Sequence, residues 1–135
     1  MKQLKYMLLV AALMMAGTVS AKTVKTSHMY MFGFSASFKD SVIYVTDIQD
    51  VQGAWINTKT KFLMGRDQYA GQLQTHLSEQ RQLNNRVCVV FFKKSKKKAE
   101  KQYLKLMKKY KDGYDIRYLN SSEFRFEAVD MTDSQ

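Results

Sequence analysis

Aromatic and small residues alternate along the first readable segment of the chain. Positions 30 to 38 carry tyrosine, phenylalanine or alanine at every second residue, with glycine and serine at most of the positions between. A period of two is typical of a β-strand with one buried face. Residues 39–41 indicate a turn, and Val42–Thr46 forms a second apolar run. The pattern predicts a β-hairpin.

Two later segments have the spacing of helices. In residues 67–80, apolar side chains and His76 recur at intervals of three and four. A second helix is predicted to start after Ser95, a good N-cap, and to end before Gly113. Its apolar residues form one stripe: Ala99, Tyr103, Leu106, Met107 and Tyr110. Both segments are predicted to bury one face.

Residues 87–92 are apolar at every position, which predicts a central strand covered on both faces. Further strands are predicted at residues 114–119 and 123–129. The order is therefore β-β-α-β-α-β-β. We expect an α+β fold, a two-layer sandwich in which a mixed sheet of about five strands carries both helices on one face. The connection at residues 47–65 is long enough to be functional or to contain a short element of its own.

The first 21 residues have the layout of a secretory signal peptide. A basic start precedes an apolar run at residues 6–17, and small residues lead to Ala21. The run is shorter than the roughly 20 residues that a bilayer span needs, and no cysteine is placed to receive a lipid. We expect residues 22–135 to form a single α+β domain, with a flexible polar start and no transmembrane segment. It should be periplasmic or secreted and not a lipoprotein.

The formal net charge is +10, of which Lys2 and Lys5 contribute two. A basic surface attracts anions. Export disfavours nucleic acid as the partner and favours anionic glycans, other envelope polymers or a protein partner. Residues 93–111 hold ten lysines and one acid. Lysines at a helix start are unfavourable for the helix dipole, yet the free N–H groups there bind anions.

The crowded helix start predicts ligand contacts at Lys94, Lys96 and Lys97. The alternative is a solvated lysine-rich face with no ligand. Trp55, in the long connection, is a second predicted contact, because an exposed indole suits a sugar ring or a protein partner. The alternative for Trp55 is packing of the connection onto the core.

Other chemistry has weaker support in the sequence. Asp47 and Asp50 follow a strand and would provide paired carboxylates for a small hydrolase. Cys88 is the only cysteine, so no internal disulfide can form, and we interpret it as a small buried hydrophobe. The two histidines have no metal-binding spacing, and no catalytic residue, metal or cofactor is assigned. A third hypothesis is an envelope assembly protein.

Two resemblances accompany these patterns. Residues 29–35 (Met-Tyr-Met-Phe-Gly-Phe-Ser) and 89–92 (Val-Val-Phe-Phe) resemble small exported proteins of unknown function from Bacteroides-type bacteria, over most of the chain. This resemblance implies no activity. Residues 87–119 resemble one half of a SPOR domain, a periplasmic module that binds peptidoglycan glycan, and the other half does not match. The resemblance suggests glycan binding, and we expect an exported, non-enzymatic binding or interaction module.

Overall fold

The computed structural model describes residues 22–132. Within them the chain forms seven strands and two helices: β1 (Thr23–Lys25), β2 (Tyr30–Ala36), β3 (Val42–Thr46), β4 (Gln49–Asp50), β5 (Trp55–Asn57), α1 (Arg66–Arg81), β6 (Val87–Lys93), α2 (Lys96–Tyr110) and β7 (Asp115–Leu119). The predicted signal peptide, residues 1–21, lies outside the described residues, as do residues 133–135.

Five strands form one mixed sheet around β2. β6 pairs antiparallel with one edge of β2 over its whole length, and β3 and β4 pair antiparallel with the other edge. β7 joins β3 in parallel. The predicted α+β class, the mixed sheet of about five strands and the hairpin of β2 and β3 are confirmed. β6 and β7 run in the same direction, as a strand–helix–strand crossover requires.

A one-residue bulge joins β3 to β4. Two residues of β2 face three residues of the other strand, because the register shifts by one between β3 and β4. The Thr46 hydroxyl fills the gap: it accepts a hydrogen bond from the Gly33 N–H at 2.8 Å and donates one to the Asp47 carbonyl at 2.9 Å. Bulges re-aim side chains, and here the Asp47 carboxylate accepts a hydrogen bond from the Ser121 N–H at 3.0 Å.

The two helices pack on opposite faces of the sheet, so the prediction that both lie on one face is wrong. α1 packs on the face that carries Met31, through three fully buried residues: Tyr69, Leu73 and Leu77. α2 packs on the face that carries Phe32, through its predicted apolar stripe: Tyr103, Leu106, Met107 and Tyr110. Neighbouring residues of a strand point to opposite faces, so β2 contributes to both halves of the core.

Gly33 allows α1 to approach the central strand. A Cβ atom at this position would lie 2.7 Å from Cδ2 of Leu73 and 3.1 Å from Cζ of Phe126. The missing side chain therefore leaves room for both neighbours. Ser35 on the same face is also fully buried. Consequently β2 is covered on both faces, although its sequence predicts one buried face.

β6 lies at an edge of the sheet, which corrects its predicted central position. Within residues 22–132 it pairs with β2 alone. The side chains of Val87 and Val89 are 50% and 41% exposed. In this continuous apolar run, some side chains contact the core and others are exposed at the open edge of the sheet.

Residues 123–129 follow β7, where the last strand is predicted. Within the described residues they form no backbone hydrogen-bond ladder with another strand. The buried Gln49 side chain donates to the Phe124 carbonyl at 2.9 Å and accepts from the Phe126 N–H at 2.8 Å. Gln72 pairs in the same way with the N–H and the carbonyl of Glu127, at 2.9 Å each. These two amides supply the hydrogen bonds that a neighbouring strand would otherwise provide.

The long connection at residues 47–65 contains short elements, β4 and β5, as expected for a connection of this length. β5 pairs antiparallel with β1, from Thr23 opposite Asn57 to Lys25 opposite Trp55. The polar start of the described chain is therefore a strand and not a flexible segment. This small sheet fixes the turn that follows β5.

Glu123 joins the C-terminal segment to α1 through a charged cluster. Its carboxylate accepts hydrogen bonds from Nη2 and Nε of Arg81 at 2.6 and 2.9 Å, and it lies 2.9 Å from Nε2 of His76. The hydrogen bonds from Arg81, and then that from His76, lower the pKa of Glu123 from its ordinary value of 4.5 to about 2. The ionised form is therefore favoured in the folded protein.

Because the pKa of Glu123 is lower in the folded state, its contribution to stability is fully present above about pH 4.5. It is lost as the pH falls through about 2. We expect Glu123→Gln to lower the free energy of unfolding at neutral pH by about 1 kcal/mol, since the cluster is partly exposed and screened. Urea unfolding measured between these pH values should show a flatter pH dependence in the variant. Glu127→Gln, an exposed carboxylate of the same segment, is the control; identical pH profiles for wild type and Glu123→Gln would contradict the assignment.

Candidate anion-binding site

A groove of about 310 Å³ lies between the turn after β5 and the start of α2. It is formed by parts of the chain that are about thirty residues apart in sequence. The lining residues are Met29, Thr60, Lys61, Phe62, Phe92, Lys93, Lys94, Ser95 and Lys98. We call this feature the lysine groove.

The turn at residues 57–62 forms one wall of the lysine groove. Asn57 closes it: its side-chain oxygen accepts hydrogen bonds from the N–H groups of Lys59 and Thr60 at 2.9 and 3.0 Å, and its N–H donates to the Phe62 carbonyl at 3.0 Å. Lys61 has a left-handed backbone with φ of 64°. This conformation costs a residue with a side chain roughly 1–2 kcal/mol. The well-bonded turn holds Lys61 in place despite that cost.

The end of β6 and the first turn of α2 form the other wall. Ser95 is the N-cap, as predicted, and its hydroxyl accepts a hydrogen bond from the Lys98 N–H at 3.4 Å. Lys93 is the last residue of β6, and Lys94 lies between the strand and the cap. Both are exposed, as is Lys98. The cap therefore fixes the backbone from which three lysines reach the groove.

The electrostatic character of the groove is uniformly positive. Four lysines line it, and within the described part of the chain its lining contains no carboxylate. The guanidinium carbon of Arg66 lies 5.6 Å from the ring centre of Phe62 and 5.9 Å from that of Phe92. A fifth cation thus contacts the aromatic part of the lining. An anion entering the groove would gain charge-assisted hydrogen bonds from several sides.

A second groove of about 380 Å³ continues the positive surface along α2. It shares Lys93 and Lys98 with the lysine groove and adds Lys101 and Lys105. Gln102 also lines it, with a buried side-chain oxygen that has no hydrogen-bond partner among residues 22–132. The cationic surface therefore extends from the turn after β5 to the middle of α2, a shape that suits an extended anion better than a single small one.

The four predicted contact residues have different positions. Lys94 lines the lysine groove, whereas Lys96 and Lys97 are exposed on the first turn of α2 outside its lining. Trp55 is only 8% exposed in β5, and Nζ of Lys25 lies 5.5 Å from its ring centre. This position agrees with the alternative prediction that Trp55 packs onto the core. Trp55 is not among the residues that line the lysine groove.

Lys61, Phe62 and Arg66 are site residues that the sequence pattern does not predict. Lys61 lies in a polar patch that resembles an ordinary solvated loop, and nothing in the local pattern connects it with the lysines of residues 93–98. The one available signal is the pair of aromatic and basic residues at positions 61–62 beside a β-turn. The turn is held by the pairing of β1 with β5 and by a bridge between Ile56 and Leu63, and these contacts are not visible in the local sequence pattern.

No family model matches the chain, no curated protein matches its sequence, and no solved structure matches its fold. The two resemblances noted above therefore stay predictions. Within residues 22–132, neither helix combines the length and the apolar character that a bilayer span requires.

The other candidate groups have structural partners. The Asp47 carboxylate holds Ser121 and the Gln49 amide, and Asp50 lies 2.7 Å from Nδ1 of His28. The two carboxylates thus have separate partners instead of sharing one site. Burial raises the pKa of the Cys88 thiol, which favours its unreactive form. Among residues 22–132 there is no group of three or more potential metal ligands placed to hold an ion.

Proposed function

We propose that this protein is an exported, non-enzymatic module that binds anionic polymers of the cell envelope, including anionic glycans, through the lysine groove. One observation carries the proposal. Lys61, on a turn closed by Asn57, lines the same groove as Lys94 and Lys98 on the other wall, and within residues 22–132 the lining contains no carboxylate that offsets their charge. Like charges that are brought together without compensation repel one another, and a bound polyanion would relieve that repulsion.

The residue type also suits a polymer ligand. A lysine ammonium is a flexible, strongly hydrated point charge with three donors, and it does not require the planar partner that arginine favours. Successive carboxylate, sulfate or phosphate groups of an anionic chain would contact the groove lysines first. The chain would then continue past Lys101 and Lys105. Such binding releases counterions and weakens with salt.

The lysine groove is tested by comparing two variants of equal charge. Lys93, Lys94 and Lys98 are changed to glutamine together, and the control changes Lys108, Lys109 and Lys111 near the end of α2. We expect the groove variant to bind dextran sulfate at least about tenfold more weakly, with a flatter salt dependence, because three direct charge contacts are lost. The control should change affinity much less.

Affinities are measured by titration at several salt concentrations, and circular dichroism checks that both variants remain folded. Neutral dextran is the ligand control and should not bind. Equal losses in the two variants would mean that net charge alone attracts the polymer, and the proposal of a specific groove would then be wrong.

A further inference from the structure

Phe62 is an exposed apolar side chain inside the cationic groove. Its side chain is 56% exposed, although it is next to Lys61 and opposite Lys94. A hydrophilic polyanion gains little from an exposed phenyl ring. At a lipid interface the same ring buries apolar area while the neighbouring ammonium groups stay hydrated. The exposed Phe62 ring therefore favours a lipid surface over a hydrophilic polyanion as the anion that the lysines bind.

The floor of the groove is apolar as well. The fully buried Met29 and the partly buried Phe92 line it, whereas the groove lysines are exposed. An apolar floor under a cationic rim matches an amphiphilic anion, whose phosphate group contacts ammonium groups and whose hydrocarbon part contacts rings. A polymer with charge along its whole length offers no such apolar part.

A second exposed apolar residue lies among the lysines of α2. Leu104 is 66% exposed. It lies three residues after Lys101 and four before Lys108, so helical spacing places these side chains on the same outer surface. The apolar stripe of α2 is buried against the sheet, so Leu104 is a single exposed apolar side chain beside the lysines of the outer surface. The two grooves share Lys93 and Lys98, so the positive surface is continuous from Phe62 along α2.

We infer that the lysine groove and the outer face of α2 dock onto an anionic lipid surface, with Phe62 and Leu104 entering the interface and the lysines contacting phosphate headgroups. The inference goes beyond the proposed function: it assigns the same lysines a second class of anion, a lipid surface, and it holds whether or not they also bind soluble polymers. Each basic residue near an anionic bilayer adds to the attraction. Phe62 and Leu104 add a hydrophobic contribution to membrane binding, which a soluble polyanion does not provide.

The test uses the purified protein and vesicles in a sedimentation assay. One set of vesicles contains phosphatidylglycerol in phosphatidylcholine, and the other contains phosphatidylcholine alone. Phe62→Ser is compared with Phe38→Ser. Phe38 is 97% exposed in the turn between β2 and β3, at the other end of the β2–β6 ladder from Lys93. Binding of each variant to dextran sulfate is measured in parallel.

We expect the wild type to sediment with the anionic vesicles and not with the neutral ones. Phe62→Ser should weaken vesicle binding by roughly tenfold, because burial of one phenyl ring at the interface is lost. Its affinity for dextran sulfate should stay within about twofold, since the lysines that make the charge contacts remain. Phe38→Ser should change neither affinity.

The outcomes separate the two proposals. Unchanged vesicle binding by Phe62→Ser, or dextran sulfate binding without vesicle binding in the wild type, would overturn the lipid inference and leave polymer binding intact. Vesicle binding that needs Phe62 but occurs without any dextran sulfate binding would support the lipid inference and overturn polymer binding. Absence of both would overturn both.

Discussion

Replacing Arg86 by methionine is expected to lower the free energy of unfolding by about 3 kcal/mol, because it removes the hydrogen bonds that a buried guanidinium donates to Ser35 and Val42. The Arg86 side chain is 3% exposed. It donates to the hydroxyl and the carbonyl of Ser35 and to the carbonyl of Val42. Its guanidinium carbon also lies 4.9 Å from the ring centre of Tyr44. Methionine keeps the apolar stem of the side chain but none of these polar contacts.

Urea unfolding measures the effect of Arg86→Met, with Arg117→Met as the matched control. Arg117 is on the neighbouring edge strand, 54% exposed, and pairs with Asp115 at 3.0 Å. An exposed pair of this kind adds little to stability, so the control should unfold at nearly the wild-type urea concentration. Equal stability of Arg86→Met and wild type would show that the buried guanidinium is not what holds the β2–β3 hairpin to β6.

Replacing Gln49 by leucine is expected to lower the free energy of unfolding by about 2–4 kcal/mol, since two buried backbone groups lose their partners. Gln49 is 6% exposed. Its side-chain amide makes hydrogen bonds to the carbonyl of Phe124 and the N–H of Phe126. These contacts position both rings in the core. Leucine has similar bulk, so the loss of hydrogen bonds and not a cavity dominates the expected change.

Gln72→Leu is the comparison variant, because it also removes two hydrogen bonds between a glutamine side chain and the backbone of residues 123–129. Gln72 makes an equivalent pair of hydrogen bonds, but these bonds are exposed and water can replace them. The expected loss is therefore below about 1 kcal/mol. Chemical denaturation of both variants checks the difference. Similar losses at the two positions would mean that the segment at residues 123–129 is held mainly by its aromatic side chains.

Local patterns were sufficient for much of the fold. Helical spacing, the Ser95 cap and the Gly113 stop predicted α2 correctly, because the determinants of a helix lie within a few residues of one another. The hairpin of β2 and β3 was predicted for the same reason. Gly113, with φ of 93°, has the left-handed conformation that a residue following a helix often adopts.

The layering of the fold depends on contacts that a local pattern does not contain. The alternating pattern predicts that Gly33 and Ser35 form the open face of β2, whereas in the structure both are small residues on the face that α1 covers. The apolar run of β6 was interpreted as a central strand, although its valines lie at an open edge. Small residues in a strand have the same signature whether they face solvent or a closely packed helix.

The candidate site was predictable only in part. The lysine density of residues 93–111 directed attention to the start of α2, and Lys94 lies there. Lys61 and Phe62 belong to the turn after β5, far from Lys94 in sequence, and only the fold brings them to the same groove. Residue type and position in the long connection predict Trp55 as a contact, whereas the structure buries it. A site built by distant segments cannot be derived from one segment.

The most direct test of the lysine groove is an NMR titration of the isotope-labelled protein with dextran sulfate at low salt. The proposal predicts that the largest backbone amide shifts occur together, at the turn of residues 57–62 and at residues 93–98. The amides of Lys108, Lys109 and Lys111 should shift much less. Shifts spread evenly over all lysines, or confined to the end of α2 while Lys61 and Phe62 stay unchanged, would contradict it.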